Sequence, residues 1–158
     1  MYKNLAAWRA FAPALAAVLV SPLVAHAQPV KPPVKAAFVY VTPLTEAGWV
    51  RQHELGRQAV QAALGERVQT SYVENVAEGA DAERVIRDLA QQGNHIIFTP
   101  SFGYMEPTLK VARDFPNVKF ESITGYKAAP NVATANARYY EGRYLAGVAA
   151  GRLATQAG

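Results

Sequence analysis

The chemistry this chain can perform is concentrated in a few short stretches. Gly48-Trp49, with His53 four residues on, sets an indole directly after a glycine. An indole at the end of a loop offers a flat π face, and base–aromatic stacking is worth ~1–3 kcal/mol per base in nucleic-acid systems. Trp49 would serve as well as a core residue or a hydrophobic staple, and position alone does not choose. Ser101-Phe102-Gly103-Tyr104 supplies a hydroxyl, a second aromatic face and a glycine that permits close backbone approach. Phe102 could instead cover the end of a sheet, where its large apolar area would be buried. Gly125-Tyr126-Lys127 is a third group, in which Lys127 suits a solvated turn. Arg138-Tyr139-Tyr140-Glu141-Gly142-Arg143-Tyr144 is a fourth. There Glu141 is favoured by the helix dipole whatever the function.

Several chemistries are excluded. The loop from Thr42 to Trp49 has neither G-x-G-x-x-G nor a Gly-Lys-Ser/Thr ending, so it is no phosphate cradle. The histidines His53 and His95 belong to no H-E-x-x-H, and the chain has 0 Cys, so neither a thiolate metal site nor a disulfide is expected. No metal and no cofactor is expected. No G-x-S-x-G surrounds Ser101, and no Ser, His and carboxylate arrangement stands out. The formal charge is +4, of which Lys3 and Arg9 near the N-terminus supply two, and the remaining basic residues are scattered. Nucleic acid is therefore not the expected partner. Binding without chemistry is the expectation; an enzyme on a similar sheet, or a sensor module of the same fold, are the alternatives.

The elements that must position these residues begin after an export signal. Lys3 and Arg9 precede an apolar stretch from Ala10 to Val24, which ends at Ala25-His26-Ala27. A charged start, a short apolar middle and an A-x-A exit predict a signal peptide over residues 1–27, cleaved after Ala27. Pro13 and Pro22 interrupt the run, which is short for a membrane span. With no Cys for a lipid anchor, the mature chain is expected in the periplasm. Residues 28–33 form a Pro-rich lead-in. Val34–Val41 reads as a buried strand, and a helix follows over Trp49–Leu64, closed by Gly65. A second strand covers Val68–Glu74. Ala82, Val85, Ile86 and Leu89 then share one helical face, with Gly93 ending that helix. The third strand is His95–Thr99, followed by a loop over Pro100–Gly103 and a helix marked by Met105, Leu109 and Ala112, with Pro107 in its first turn. Val118–Ile123 is the fourth strand, Asn131–Ala137 a weaker fifth, and Tyr139–Leu153 a fourth helix. Strict alternation predicts an α/β domain with a parallel sheet and helices on both faces. Ligands in such sheets bind beyond the strands' carboxyl ends at the point where strand order reverses.

Four stretches, in this order and spacing, resemble the basic membrane protein (BMP) family of ABC-transporter solute-binding proteins, its purine nucleoside-binding group. They are Phe38-Val39-Tyr40-Val41 through Gly48-Trp49 and Gln52-His53; Val73-Glu74-Asn75-Val76 with Gly79-Ala80-Asp81-Ala82-Glu83; Ile97-Phe98-Thr99 with Ser101-Phe102-Gly103-Tyr104-Met105; and Tyr140-Glu141-Gly142-Arg143-Tyr144-Leu145-Ala146-Gly147. The resemblance implies a type I periplasmic-binding fold, flavodoxin-like in each of two lobes, with purine stacked between aromatics from both. It implies delivery of ligand to the membrane permease of an ABC importer. Trp49 matches the family's stacking aromatic, Ser101, Phe102 and Gly103 its cleft floor, and Tyr140-Glu141-Gly142 its acidic-Gly motif. The ligand-binding set expected from residues and resemblance together is Gly48, Trp49, His53, Ser101, Phe102, Gly103, Tyr126 and Glu141. Thr45-Glu46 and Val50 stand where the family carries acidic residues and Asn, which leaves fewer acceptors for ribose hydroxyls and favours an adenine-like free base. Residues 34–158 are expected to form the N-terminal lobe, with the second lobe absent.

Overall fold

The computed structural model describes residues 31–157; the stretch carrying the expected signal peptide lies outside the described residues. Five strands and four α-helices alternate: β1 (Val34–Val39), α1 (Trp49–Leu64), β2 (Val68–Val73), α2 (Ala80–Gln91), β3 (Ile96–Thr99), α3 (Met105–Asp114), β4 (Lys119–Ile123), β5 (Val132–Ala135) and α4 (Tyr139–Ala157). All pairings are parallel, in the order β2-β1-β3-β4-β5. This is the expected α/β architecture, in the strand order of doubly wound flavodoxin-like sheets.

Alternate residues of β1 supply two separate cores, as the period of two in a strand requires. Ala36, Phe38 and Tyr40 pack with Val50 of α1 and Val68 of β2 on one face. Phe38 also stacks on Phe98 of β3, with ring centroids 4.5 Å apart. Ala37 and Val39 face the other way, into a larger core with Ile97, Phe120 and Val132. Against that face α2 sets Ala82, Val85, Ile86 and Leu89, all buried as their helical spacing predicts, and α3 adds Val111 and Ala112. Each Val, Leu or Ile among them contributes ~1.5–3 kcal/mol on burial.

The boundaries shift where hydrogen bonding outweighs composition. β1 ends at Val39, although Tyr40 still donates its N–H to Val73 O and accepts from Val76 N. β2 stops at Val73 and β5 spans only Val132–Ala135. The segment expected as loop over Pro100–Gly103 is half helical, because a 3-10 turn over Phe102–Tyr104 leads into α3. α4 extends to Ala157 and is exposed along its length up to residue 156, with Tyr140, Tyr144, Leu145 and Leu153 open to solvent. Its apolar residues are spread around the helix rather than gathered on one face, so no single stripe directs it onto the sheet. No helix among the described residues is long and apolar enough to cross a membrane.

A buried ionic cluster fixes α1 to the sheet. Glu54 is 1% exposed and accepts hydrogen bonds from Arg57 (2.7 and 2.6 Å), Gln58 Nε2 (2.8 Å) and the Tyr40 hydroxyl (3.0 Å). Arg57 continues to Thr70 Oγ1 of β2 at 2.7 Å. The Arg57 hydrogen bonds hold the Glu54 carboxyl below its ordinary value despite burial. Burial, followed by the hydrogen bond to Glu54, pushes the Tyr40 phenol up. The Glu54 contribution is therefore complete above pH 4.5 and is lost as pH falls through the lowered folded-state value. Glu54→Ala leaves Arg57 and Tyr40 without their acceptor and should cost about 3–5 kcal/mol in urea unfolding. Arg84→Ala, which removes an exposed arginine beside Asp81 and Asp88, should change stability by less than about 0.5 kcal/mol.

Candidate functional site

The order β2-β1-β3 makes the junction of β1 and β3 the point where the chain reverses direction across the sheet. The loops leaving these two strands are joined by one bond. Trp49, the first residue of α1, donates its indole Nε1–H to Pro100 O at 2.7 Å. Gly48 makes the approach possible: its φ of 95° and ψ of −164° lie in a region open essentially to glycine alone. With its N–H fixed, the indole remains 37% exposed. Its ring meets His53 at 4.5 Å and Tyr139 at 5.6 Å between centroids, both edge-on.

A cavity of about 540 Å³ opens beside it, lined by Trp49, Ser101, Phe102, Thr124, Tyr139, Gly142, Arg143 and Ala146. These residues follow β1, β3, β4 and β5, so the cavity lies at the carboxyl edge of the sheet, and its size is ordinary for a small-molecule site. A hollow of about 510 Å³ lies on Gly48, Trp49, Gln52, His53 and Tyr139. A larger one, about 740 Å³, is lined by Leu109, Arg113, Lys119, Lys127 and Asn131 among others. It lies toward the strands' amino ends, and no aromatic ring lines it. The switch-point cavity is the better candidate because topology and three exposed rings, those of Trp49, Phe102 and Tyr139, converge there.

The expected residues fall into three groups. Trp49, Ser101 and Phe102 line the cavity together, and Phe102 is 60% exposed. Gly48 and His53 line the adjoining hollow. Gly103, Tyr126 and Glu141 stand apart from the cavity lining. Tyr126 lies against Phe102 with centroids 6.1 Å apart, and Glu141 pairs with Arg138 at 3.1 Å. Gly103 has another partner than a ligand: a Cβ there would lie 2.2 Å from the Glu78 carboxylate carbon.

Glu78 was not legible as a site residue, because it precedes α2 and lies 25 positions from Gly103. Its Oε1 accepts the Ser101 hydroxyl and, at 3.1 Å, the Gly103 N–H. Ser101 thereby spends its proton and keeps lone pairs for other partners. Tyr139, Thr124, Gly142 and Arg143 were also missed as lining residues. Thr124 carries the one local signal: it is a β-branched residue with φ 73° and a buried hydroxyl without a partner. Such strained backbone gathers at functional sites. Among the described residues, no group of three His, Cys, Asp or Glu could hold a metal ion.

The chain matches the Bmp family, described as ABC transporter substrate-binding protein PnrA-like, over residues 33–158. It is 55% identical over 119 residues to a purine-binding protein of Brucella abortus, covering 75% of this chain and 34% of that one. It is 42% identical over 120 residues to a Haloferax volcanii protein named as an ABC transporter glucose-binding protein, covering 76% and 30%. Among solved structures, a Conexibacter woesei ABC transporter solute-binding protein superposes with a TM-score of 0.58 at 23% identity, over 65% of this chain and 35% of that one. An Aeropyrum pernix solute-binding protein gives 0.54 at 22%, over 65% and 28%. The chain thus spans about a third of the length of its relatives. It belongs to the Bmp family of ABC transporter substrate-binding proteins, which bind solutes and are not enzymes.

His53 gives folding stability a pH dependence. Burial lowers its pKa from the ordinary 6.5, and Nε2 is buried without a partner. The unfolded chain takes up a proton near 6.5 that the folded ring resists, so stability is full above that pH and declines below it toward the folded-state value. Thermal unfolding between pH 7.5 and 5.5 should show a falling midpoint, and His53→Gln should flatten the decline. An unchanged slope in the variant would assign the pH response elsewhere.

Proposed function

We propose that this Bmp-family chain binds a purine, an adenine-like free base in preference to a nucleoside, as part of an exported periplasmic protein that hands it to the permease of an ABC importer. The observation that carries the reading is the indole of Trp49, pinned to Pro100 O and sharing a cavity with the exposed ring of Phe102. A planar heterocycle offers both rings a face, whereas the cavity has little to hold a polar chain. The relative at 55% identity is a purine-binding protein, which supports the same class.

Preference for the free base rests on what the cavity lacks. No carboxylate is among its lining residues, and Val50, buried in the core at 3% exposure, presents nothing to it. Ribose hydroxyls would find few acceptors there. The second reading is a hexose, favoured by the relative named for glucose at 42% identity. An indole also stacks on the apolar face of a sugar, so aromatic content alone does not separate the two. Export rests on the charged, apolar and A-x-A order of residues 1–27.

Calorimetry on the full chain with adenine, adenosine and glucose tests this reading. Adenine should bind most tightly, and Trp49→Ala should weaken it by about 1–3 kcal/mol. Trp49→Phe should fall between Ala and the parent, since a π face remains while the bond to Pro100 O is lost. Glucose binding with no response to either purine would replace the purine reading with the sugar one.

A further inference from the structure

Phe102 is the most exposed ring in the cavity, carried on a segment whose backbone is held by Ser101 N–H to Thr99 O at 2.9 Å, Tyr104 N–H to Ser101 O at 3.1 Å and the buried Tyr104. It opens the 3-10 turn, and the preceding residue, Ser101, has extended backbone and gives no side-chain cap to the turn. A side-chain clamp on the segment comes from elsewhere in the chain. The Glu78 carboxylate receives the Ser101 hydroxyl on one side of Phe102 and the Gly103 N–H on the other, both at Oε1. Hydrogen bonds to a charged acceptor are the stronger kind, and a negative charge at the start of a helical segment is favoured by its dipole.

The space confirms how closely this carboxylate is seated. An ideal Cβ on Gly103 would lie 2.2 Å from Glu78 Cδ and 2.3 and 2.5 Å from its two oxygens. Gly103 does not have a positive φ, so its backbone alone does not demand glycine. The place of the missing side chain is taken by Glu78. A residue expected to allow close approach of a ligand instead allows close approach of this acid.

We infer that Glu78 is the positioning residue of the site: bridging Ser101 and Gly103, it sets the loop that presents Phe102 to the ligand. This rests on reading the cavity as the ligand site. Glu78 is itself exposed and outside the cavity lining, so it acts through Phe102 rather than by touching ligand. Its exposure also means that little core packing depends on it. Removing it should loosen the loop without unfolding the domain.

Glu78 and Gly103 should be coupled in a way that a merely structural role would not produce. Glu78→Ala removes the clamp. Gly103→Ala inserts a methyl group where the carboxylate sits and displaces it. In the Glu78→Ala background that space is free, so Gly103→Ala should then do no further harm. Neighbouring residues that act as a unit are non-additive in this way. Adenine titrations on the full chain, with melting midpoints and the amide exchange of Gly103 measured without ligand, test it. Each single variant should bind adenine about tenfold more weakly with an unchanged midpoint, and the double variant no more weakly than either. Gly103 exchange should be about tenfold faster in Glu78→Ala, and Glu78→Gln, which keeps an acceptor, should recover most of both effects. Parent-like adenine binding in Glu78→Ala, additive losses in the double variant, or losses that track a falling midpoint would overturn the inference. If the parent binds glucose and not adenine, the purine reading fails. The same variants titrated with glucose, and the Gly103 exchange, then decide the role of Glu78 separately.

Discussion

The hydrogen bond from Trp49 Nε1 to Pro100 O closes the gap at the sheet's switch point, and the architecture of the site follows from it. Parallel order brings the carboxyl ends of β1 and β3 side by side while sending their chains to opposite faces, which leaves a crevice between them. A side chain crossing that crevice must be long, flat and able to donate one hydrogen bond. Tryptophan has all three properties. Once its N–H is spent on Pro100, the ring has few orientations left, and its stacking surface is fixed before any ligand arrives. Preorganisation of this kind lowers the cost of binding.

Two acids at different depths support that arrangement. Glu54, buried beneath α1, ties the helix to β1 and β2 through Tyr40 and Arg57–Thr70. Trp49 and His53 ride on the same helix, so their placement inherits the rigidity of this cluster. Glu78 works at the surface and on the opposite wall, holding the segment on either side of Phe102. The buried acid secures the element, and the exposed one adjusts a loop. Family membership agrees with a site of this kind, because a substrate-binding protein must hold its ligand reversibly and perform no reaction on it.

Much of the fold was legible in the sequence. Ala82, Val85, Ile86 and Leu89 announce a helical face, and all four are buried. The continuous apolar run of β1 announces a strand covered on two sides, and alternation of strands with helices announces the parallel sheet. The switch-point loops followed from topology, which brought Trp49, Ser101 and Phe102 to one cavity. What was not legible depends on long-range contact. Nothing near Gly103 shows that a carboxylate 25 residues earlier occupies its side-chain place. The tie between Trp49 and Pro100 spans 51 positions and involves a backbone carbonyl, which leaves no mark in residue type. Tyr139 reads locally as the start of a helix, and only the fold sets it against Trp49.

Trp49 is one of 2 tryptophans, the other being Trp8. In a Trp8→Phe background its emission therefore reports on the switch point alone. A saturable change in that emission on adding adenine, with none on adding glucose, is the result expected if a purine stacks on the pinned indole. Emission that stays constant while calorimetry records adenine binding would place the purine elsewhere and contradict the account.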